Sequence, residues 1–330
     1  MTQRGWRPPN YTVDEHGKIV GREPPAPPHN WGRWGEHDEK GTANFLSPHL
    51  VAEAGSLIKK GIVYSLALPI QKGGPVHPGR SDIVHLYAYS GADFIAGTTL
   101  NERAPRFQGS DDYIFMPLQG STQWDALAHC GFDDALYNGF WLGKVEAYAG
   151  ATRGSIHHLR ETMIGRGALL DLARHQGVER LLPGHAITAD ELDACAASQG
   201  LEIRSGDMLL VRTGHVAWYY QLADKREFWR EGAPGLGKTT VEWAHRNELA
   251  ALAVDNVGVE VEPFEEPYDV IYPLHVRFIR DLGLILGELF WLEELAEACA
   301  ADREYSFFLS APPLNVTNAS GSPLNPIAIK

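Results

Sequence analysis

The sequence predicts a single α/β domain around a mixed sheet, with extended arms at both ends. Short apolar runs alternate with helix-patterned stretches in no strict strand–helix–strand order. The chain has 330 residues, 44% hydrophobic and 22% charged, enough to bury one large core. Both ends are punctuated by proline and glycine without a sustained period.

Residues 1–45, with "RPPNYT" and "REPPAPPHNWGRWGEHDEKGTANF", are expected to form an extended N-terminal arm on the body or on a partner subunit, leaving 46–330 as the folded domain. Trp6, Trp31, Trp34 and Phe45 are costly to leave in water, so the arm should be docked. The C-terminal "APPLNVTNASGSPLNPIAIK" is a second extended piece of the same kind. Between them, "SPHLVAEAGSLIKKG" reads as a helix capped by Ser47, and "IVYSLALPI", "IVHLYAYS" and "DYIFMPL" read as strands. "SIHHLRETMIGRG" reads as a helix leading into a strand, "ALLDLA". In "TADELDACAASQG", Thr188 and Glu191 form a capping box and Gly200 ends the helix. The strand "DMLLVRTG", a helix near "KTTVEWAHRN", the strands "LAALAVD" and "VGVEV", and the helices "PLHVRFIRDLG" and "WLEELAEACAAD" complete the pass.

Asp and Glu number 42 against 29 Lys and Arg, a net charge of -13 that repels nucleic acid and anionic membranes alike. Cys130, Cys195 and Cys299 form no CxxC pair, which fits a reducing compartment and gives no thiolate zinc cage. No run approaches the ~20 apolar residues of a membrane span, so a cytoplasmic protein is expected.

The stretch "QGSTQWDALAH", residues 119–129, carries Gln119, Gln123, Asp125 and His129 at alternate positions. On one straight strand Gln119 and Asp125 would stand ~20 Å apart, beyond the reach of one ion. On a helix they would lie ~120° apart around the axis. A common site therefore requires a strand running into a tight turn, which Gly120 and Ser121 permit. Amide and carboxylate oxygens suit a divalent cation. They equally suit a strand end whose polar groups satisfy the backbone.

The frame Q-x-S-T-Q-x-D-x-L-x-H resembles the H-x-G-T-H-x-D-x-P-x-H signature of the metal-dependent cyclase family, which includes kynurenine formamidases and isatin hydrolases. Thr122, Asp125 and His129 match, while Gln119 and Gln123 stand at the two other histidines, Ser121 at the glycine and Leu127 at the proline. These departures resemble the trans-dienelactone hydrolase-like branch, with its Q-x-x-x-Q-x-D motif. "RWGEHDEKGTANFLSP", "DALAHCGFDDALYNG", "GDMLLVRTGH", "LAVDNVGVEV", "PLHVRFIRDLGLILGELFWLEELAEACA" and "APPLNVTNASGSPLNPIAI" resemble it in the same order.

The resemblance implies a swivelling β/β/α-like fold and a homo-oligomer acting on a small cyclic substrate. It implies Gln119, Gln123, Asp125 and Glu288 as metal positions, with His129 and His275 as catalytic histidines. The cofactor implied is a divalent metal ion, zinc or manganese. The activity expected is hydrolysis of a small cyclic ester or amide by metal-activated water, with His129 as general base. A catalytically silent binding or assembly protein on the same fold is the alternative. "GAPGLGKTT", residues 232–240, matches a phosphate-binding loop and gives a third reading, nucleotide hydrolysis, although no buried strand precedes it.

Overall fold

The computed structural model describes residues 9–99, 106–265 and 272–330. Its centre is a nine-stranded mixed sheet. The strands Ile164–Asp171, Met208–Arg212, Ala251–Val254 and Ile285–Glu288 lie side by side and parallel. Ala251–Val254 and Ile285–Glu288 are buried throughout, which is why such strands read as continuous apolar runs. Antiparallel strands extend both flanks. Ser306–Ser310, Ile327–Ile329 and Val63–Ser65 continue one side, and Gln123–Asp125 then Gly321–Pro323 continue the other. The C-terminal arm thus supplies a strand to each flank, so its prolines punctuate sheet rather than loose chain.

The helices follow their local signals. Ser47 caps Pro48–Gly55 by accepting from Leu50 N, and Thr188 with Glu191 forms the capping box of Ala189–Gln199, which ends at Gly200 in the left-handed conformation. Glu293–Asp302 and Thr240–Arg246 form where expected. The segment from Pro273 is α-helical to His275 and π-helical over Val276–Asp281.

Four expectations are corrected or refined. Residues 155–167 hold only a 3-10 turn, Ile156–Leu159, because Met163 takes a left-handed φ of 60° and the strand begins at Ile164. "VGVEV" is no strand: Val259 has a φ of 60°, and Glu260 makes one isolated bridge, to Leu236. Among the described residues, the expected strands Val84–Tyr89 and Asp111–Phe115 pair only with each other, outside the main sheet. Ile285–Glu288 and Ser306–Ser310 join the sheet without a counterpart in the sequence expectation.

The described part of the N-terminal arm docks on its own chain. Trp31 Nε1 donates to Arg280 O at 2.6 Å, Asn30 Nδ2 to Leu282 O at 2.8 Å, and Trp34 meets Phe45 edge-on. Trp6 lies outside the described residues. Among the described residues, no helix is long and apolar enough to cross a membrane.

Candidate metal centre

Alternation along Gln123–Asp125 builds one wall of the site. Gln123 and Asp125 point to the same face, while Trp124 turns into the core, packs on Phe290 and donates from Nε1 to Ala311 O at 2.8 Å. The turn before this strand is the expected one, with the strain on Ser121 (φ 70°) rather than on Gly120. The antiparallel register sets Gln123 opposite Glu288, which brings a second carboxylate to the same face. Past the strand, His129 N donates to Ala126 O at 2.9 Å, a turn that brings the imidazole back over Asp125. His275 arrives from the helical segment that leads into Ile285–Glu288.

The ligand atoms of Asp125, His129 and His275 all lie within 4.8 Å of one another. His129 Nε2 is 3.8 Å from Asp125 Oδ1, and His275 Nε2 is 3.9 Å from Asp125 Oδ2 and 3.4 Å from Glu288 Oε1. Donors on one ion with ~2.1 Å bonds stand roughly 3 to 4.2 Å apart, so the spacings of 3.8, 3.9 and 3.4 Å suit a shared cation. A second observation agrees: Gln123 Oε1 and Asp125 Oδ2 are buried acceptors without a hydrogen-bond partner among the described residues. An orphaned buried acceptor costs about 1–3 kcal/mol unless something fills its lone pair. Gln123 Nε2 meanwhile donates to Glu288 Oε2 at 3.2 Å and lies 3.4 Å from Asp125 Oδ1.

Charge is distributed unevenly over these groups. Burial, then the neighbouring Glu288 charge, pushes the Asp125 pKa well above the usual carboxylate range, against His275 and Arg80. Burial is the largest influence on Glu288 and acts to raise its pKa, but the His275 hydrogen bond and charge, with His129 and Arg80, together outweigh it and hold the pKa below its ordinary value. For His275 burial is overcome by hydrogen bonds to Glu260 and Glu288, and its pKa rises to about 10. Burial, reinforced by the His275 charge, lowers the His129 pKa to about 4. Without a cation the site therefore favours a proton on His275 and disfavours the ionised form of Asp125, a balance that a cation would relieve.

All six residues singled out in the sequence converge here, in two shells. Gln123, Asp125, His275 and Glu288 form the buried interior, and His129 is its partly exposed edge. Gln119 touches His129, with Nε2 3.5 Å from Nδ1, and donates to Ser320 Oγ at 3.2 Å. Gly321 makes room for it, since a Cβ there would meet Gln119 Nε2 at 2.5 Å.

Sequence reasoning missed two residues. Glu260 accepts from the backbone of Leu274 and His275, at 3.0 and 2.9 Å, and lies 3.0 Å from His275 Nδ1, fixing that ring. Its one signal is an acid inside an apolar run, a residue type almost never buried unless paired. Arg80 donates to Gln119 O at 2.5 Å and places positive charge beside the cluster.

The other sequence candidates fall elsewhere. Lys238 N donates to the Glu265 carboxylate, and a Cβ on Gly232 would strike Glu262 O at 2.4 Å. The "GAPGLGKTT" loop is thus packed against the chain, and a helix, Arg226–Arg230, precedes it instead of a buried strand. Asp255 is structural, its carboxylate accepting from Thr213 N, Thr213 Oγ1 and Gly214 N, each at 2.7 Å. The cysteines are free thiols, two of them buried.

Residues 64–261 match the model of a family described as cyclases. The crystal structure of a novel cyclase is 41% identical, with a TM-score of 0.86 over 92% of this chain and 99% of that one. Isatin hydrolase A from Labrenzia aggregata shares the fold at 17% identity and a TM-score of 0.57, over 85% of this chain and 97% of its own. A protein from Bacillus stearothermophilus, described as a predicted metal-dependent hydrolase, does so at 18% and 0.52, over 82% and 98%. No curated protein matches the chain.

Proposed function

The chain belongs to the cyclase family, and from that premise we propose that it is a metal-dependent hydrolase that opens a small cyclic ester or amide. The observation that carries this is the convergence of Asp125, His129 and His275 on one point beside buried acceptors that have no other partner among the described residues. The fold it shares with proteins named as hydrolases supports the same reading. Within the family, the glutamines at 119 and 123 favour the trans-dienelactone hydrolase-like branch, and with it a lactone substrate.

Asp125, His129 and His275 are the proposed holders of the cation. His129, its pKa lowered to about 4, is neutral at neutral pH and offers the free lone pair a ligand needs, so its role moves from proton transfer to holding. Two imidazoles and a carboxylate favour zinc over manganese. When bound, such an ion supplies Lewis acidity to the ring carbonyl and to a water. Glu260 orients His275 through Nδ1, as a partner outside the ligand set commonly does. Gln119, its amide turned to present Oε1 to His129 Nδ1, would fix the second imidazole in the same way. Glu288, ionised and not needed among the three holders, is the proposed proton acceptor.

A screen of lactones, N-formyl aromatic amides and cyclic imides with added zinc or manganese tests this reading. Turnover of at least one class that a chelator abolishes and the metal restores is expected. A folded, metal-loaded protein inert across all three classes would favour a silent binding scaffold.

A further inference from the structure

Tyr272 breaks two backbone preferences at once. It precedes Pro273, a place that favours extended geometry, and it is a bulky residue in the left-handed region, with φ 57° and ψ 61°. Such a conformation persists only where the surroundings impose it, and residues held in this way gather at active sites. Three neighbours impose it here. The ring lies between Phe264 and His275, with centroids 5.2 Å from each, and Gly258 leaves room for it, since a Cβ there would meet Tyr272 Cε1 at 2.6 Å.

Packing accounts for the ring but not for the hydroxyl. The buried Tyr137 and Tyr219 donate from theirs to Asn30 O and Gly73 O, at 3.2 and 2.9 Å. The hydroxyl of the half-buried Tyr272 has no hydrogen bond among the described residues, although Glu262, Glu288, Glu260 and Arg80 are near enough for their charges to bear on it. Tyr272 also walls a cavity of about 230 Å³ with His77, Phe228, Trp229 and Glu262. His77 shares a turn with Arg80, whose N donates to His77 O at 2.9 Å while its side chain reaches Gln119. Two walls of the cavity, this turn and Tyr272, therefore also border the metal centre. Its volume falls below the roughly 300–1,000 Å³ of drug-sized sites, which suits a single small ring.

We propose that Tyr272 is a catalytic residue whose hydroxyl donates a hydrogen bond to the carbonyl oxygen of a cyclic ester or amide seated in this cavity. The proposal rests on the hydrolase reading above. As the water oxygen bonds to the carbonyl carbon, the C=O π pair moves onto the carbonyl oxygen and Glu288 takes the water proton. Collapse restores C=O, breaks the ring C–O or C–N bond and returns that proton to the departing atom. Tyr272 keeps its own proton throughout and stabilises the carbonyl oxygen while it is negative. A donor fixed in advance by Phe264, His275 and Gly258 needs no reorientation as that charge develops.

Tyr272→Phe tests this, because it keeps the ring and removes only a hydroxyl that no folded contact uses. Zinc-loaded wild type and variant are compared on dihydrocoumarin and phthalimide, a lactone and a cyclic imide, and on phenylboronic acid, whose hydroxide adduct is a tetrahedral anion. In the variant, kcat is expected to fall by about 10²- to 10³-fold on whichever probe the wild type cleaves, with KM within about threefold. Boronate affinity by calorimetry should fall by about tenfold or more, while metal content and Tm stay at the wild-type level. A variant with wild-type kcat and boronate affinity, or with a change in KM alone, overturns the assignment and makes Tyr272 a packing residue, leaving the hydrolase reading intact. A wild type inert on both probes overturns the proposal by a different route, through the loss of the cyclic-substrate reading on which it rests.

Discussion

Gln123 and Glu288 face each other across antiparallel strands, with Gln123 Nε2 donating to Glu288 Oε2 at 3.2 Å. That bond points one end of a buried amide at a carboxylate and leaves the other, Oε1, without a donor among the described residues. A one-residue slip of either strand would turn its own side chain away from the site, so the register of two strands fixes the interior of the site.

Glu288→Gln separates holding a cation from moving a proton. Metal content is expected to stay near the wild-type level while turnover falls by about 10²- to 10⁴-fold, the usual worth of a positioned acid or base. Loss of metal in this variant, read by elemental analysis, would make Glu288 a ligand instead.

Glu260 acts only through His275. Glu260→Gln should weaken zinc binding by about 10- to 100-fold, the usual effect of losing a partner behind a metal-bound histidine. Titration calorimetry on metal-stripped protein measures this, and unchanged affinity would reduce Glu260 to a structural clamp.

His215 gives a pH dependence apart from the metal centre. It is buried against Phe228, and burial with the nearby Arg180 charge lowers its pKa to about 3 from an unfolded value of 6.5. Between these values the unfolded chain binds the extra proton, so this contribution to stability is complete above pH 6.5 and declines as pH falls towards 3. At pH 5 the loss is about 2 kcal/mol. His215→Phe keeps the stacking without the titration. The variant's advantage in urea unfolding should therefore grow by about that amount between pH 7.5 and 5, and a constant difference would contradict the assignment.

Gly287 sits where only hydrogen fits. A Cβ there would lie 2.5 Å from the Trp124 ring, 2.6 Å from Ala253 Cβ and 2.7 Å from the Phe290 ring. Gly287→Ala should cost about 1–3 kcal/mol of unfolding free energy or more, since a packed core resists added volume. Equal urea midpoints for variant and wild type would show that the sheet shifts freely at this point.

Much of the fold was readable because its signals are local. The Thr188 cap, the Gly200 exit and the apolar run "MLLV" declare themselves within a few residues. Ile285–Glu288 did not, because a short apolar run between two helices looks alike as strand or buried helix. In the site, Asp125 and His129 share one stretch, and the resemblance added His275 and Glu288. Glu260 and Arg80 escaped because each joins the cluster through folding alone, far in sequence from the residues it holds.

The most direct test is metal content with and without Asp125, whose Oδ2 is a buried acceptor left unfilled among the described residues. Wild type and Asp125→Asn would be stripped with a chelator, reloaded with zinc, desalted and analysed for bound metal. At least one equivalent per chain is expected in the wild type, and less than roughly a tenth of that in the variant, since an ionised ligand is the one least replaceable by an amide. Equal metal in both proteins, or none in either, would contradict the placement of a cation between Asp125, His129 and His275.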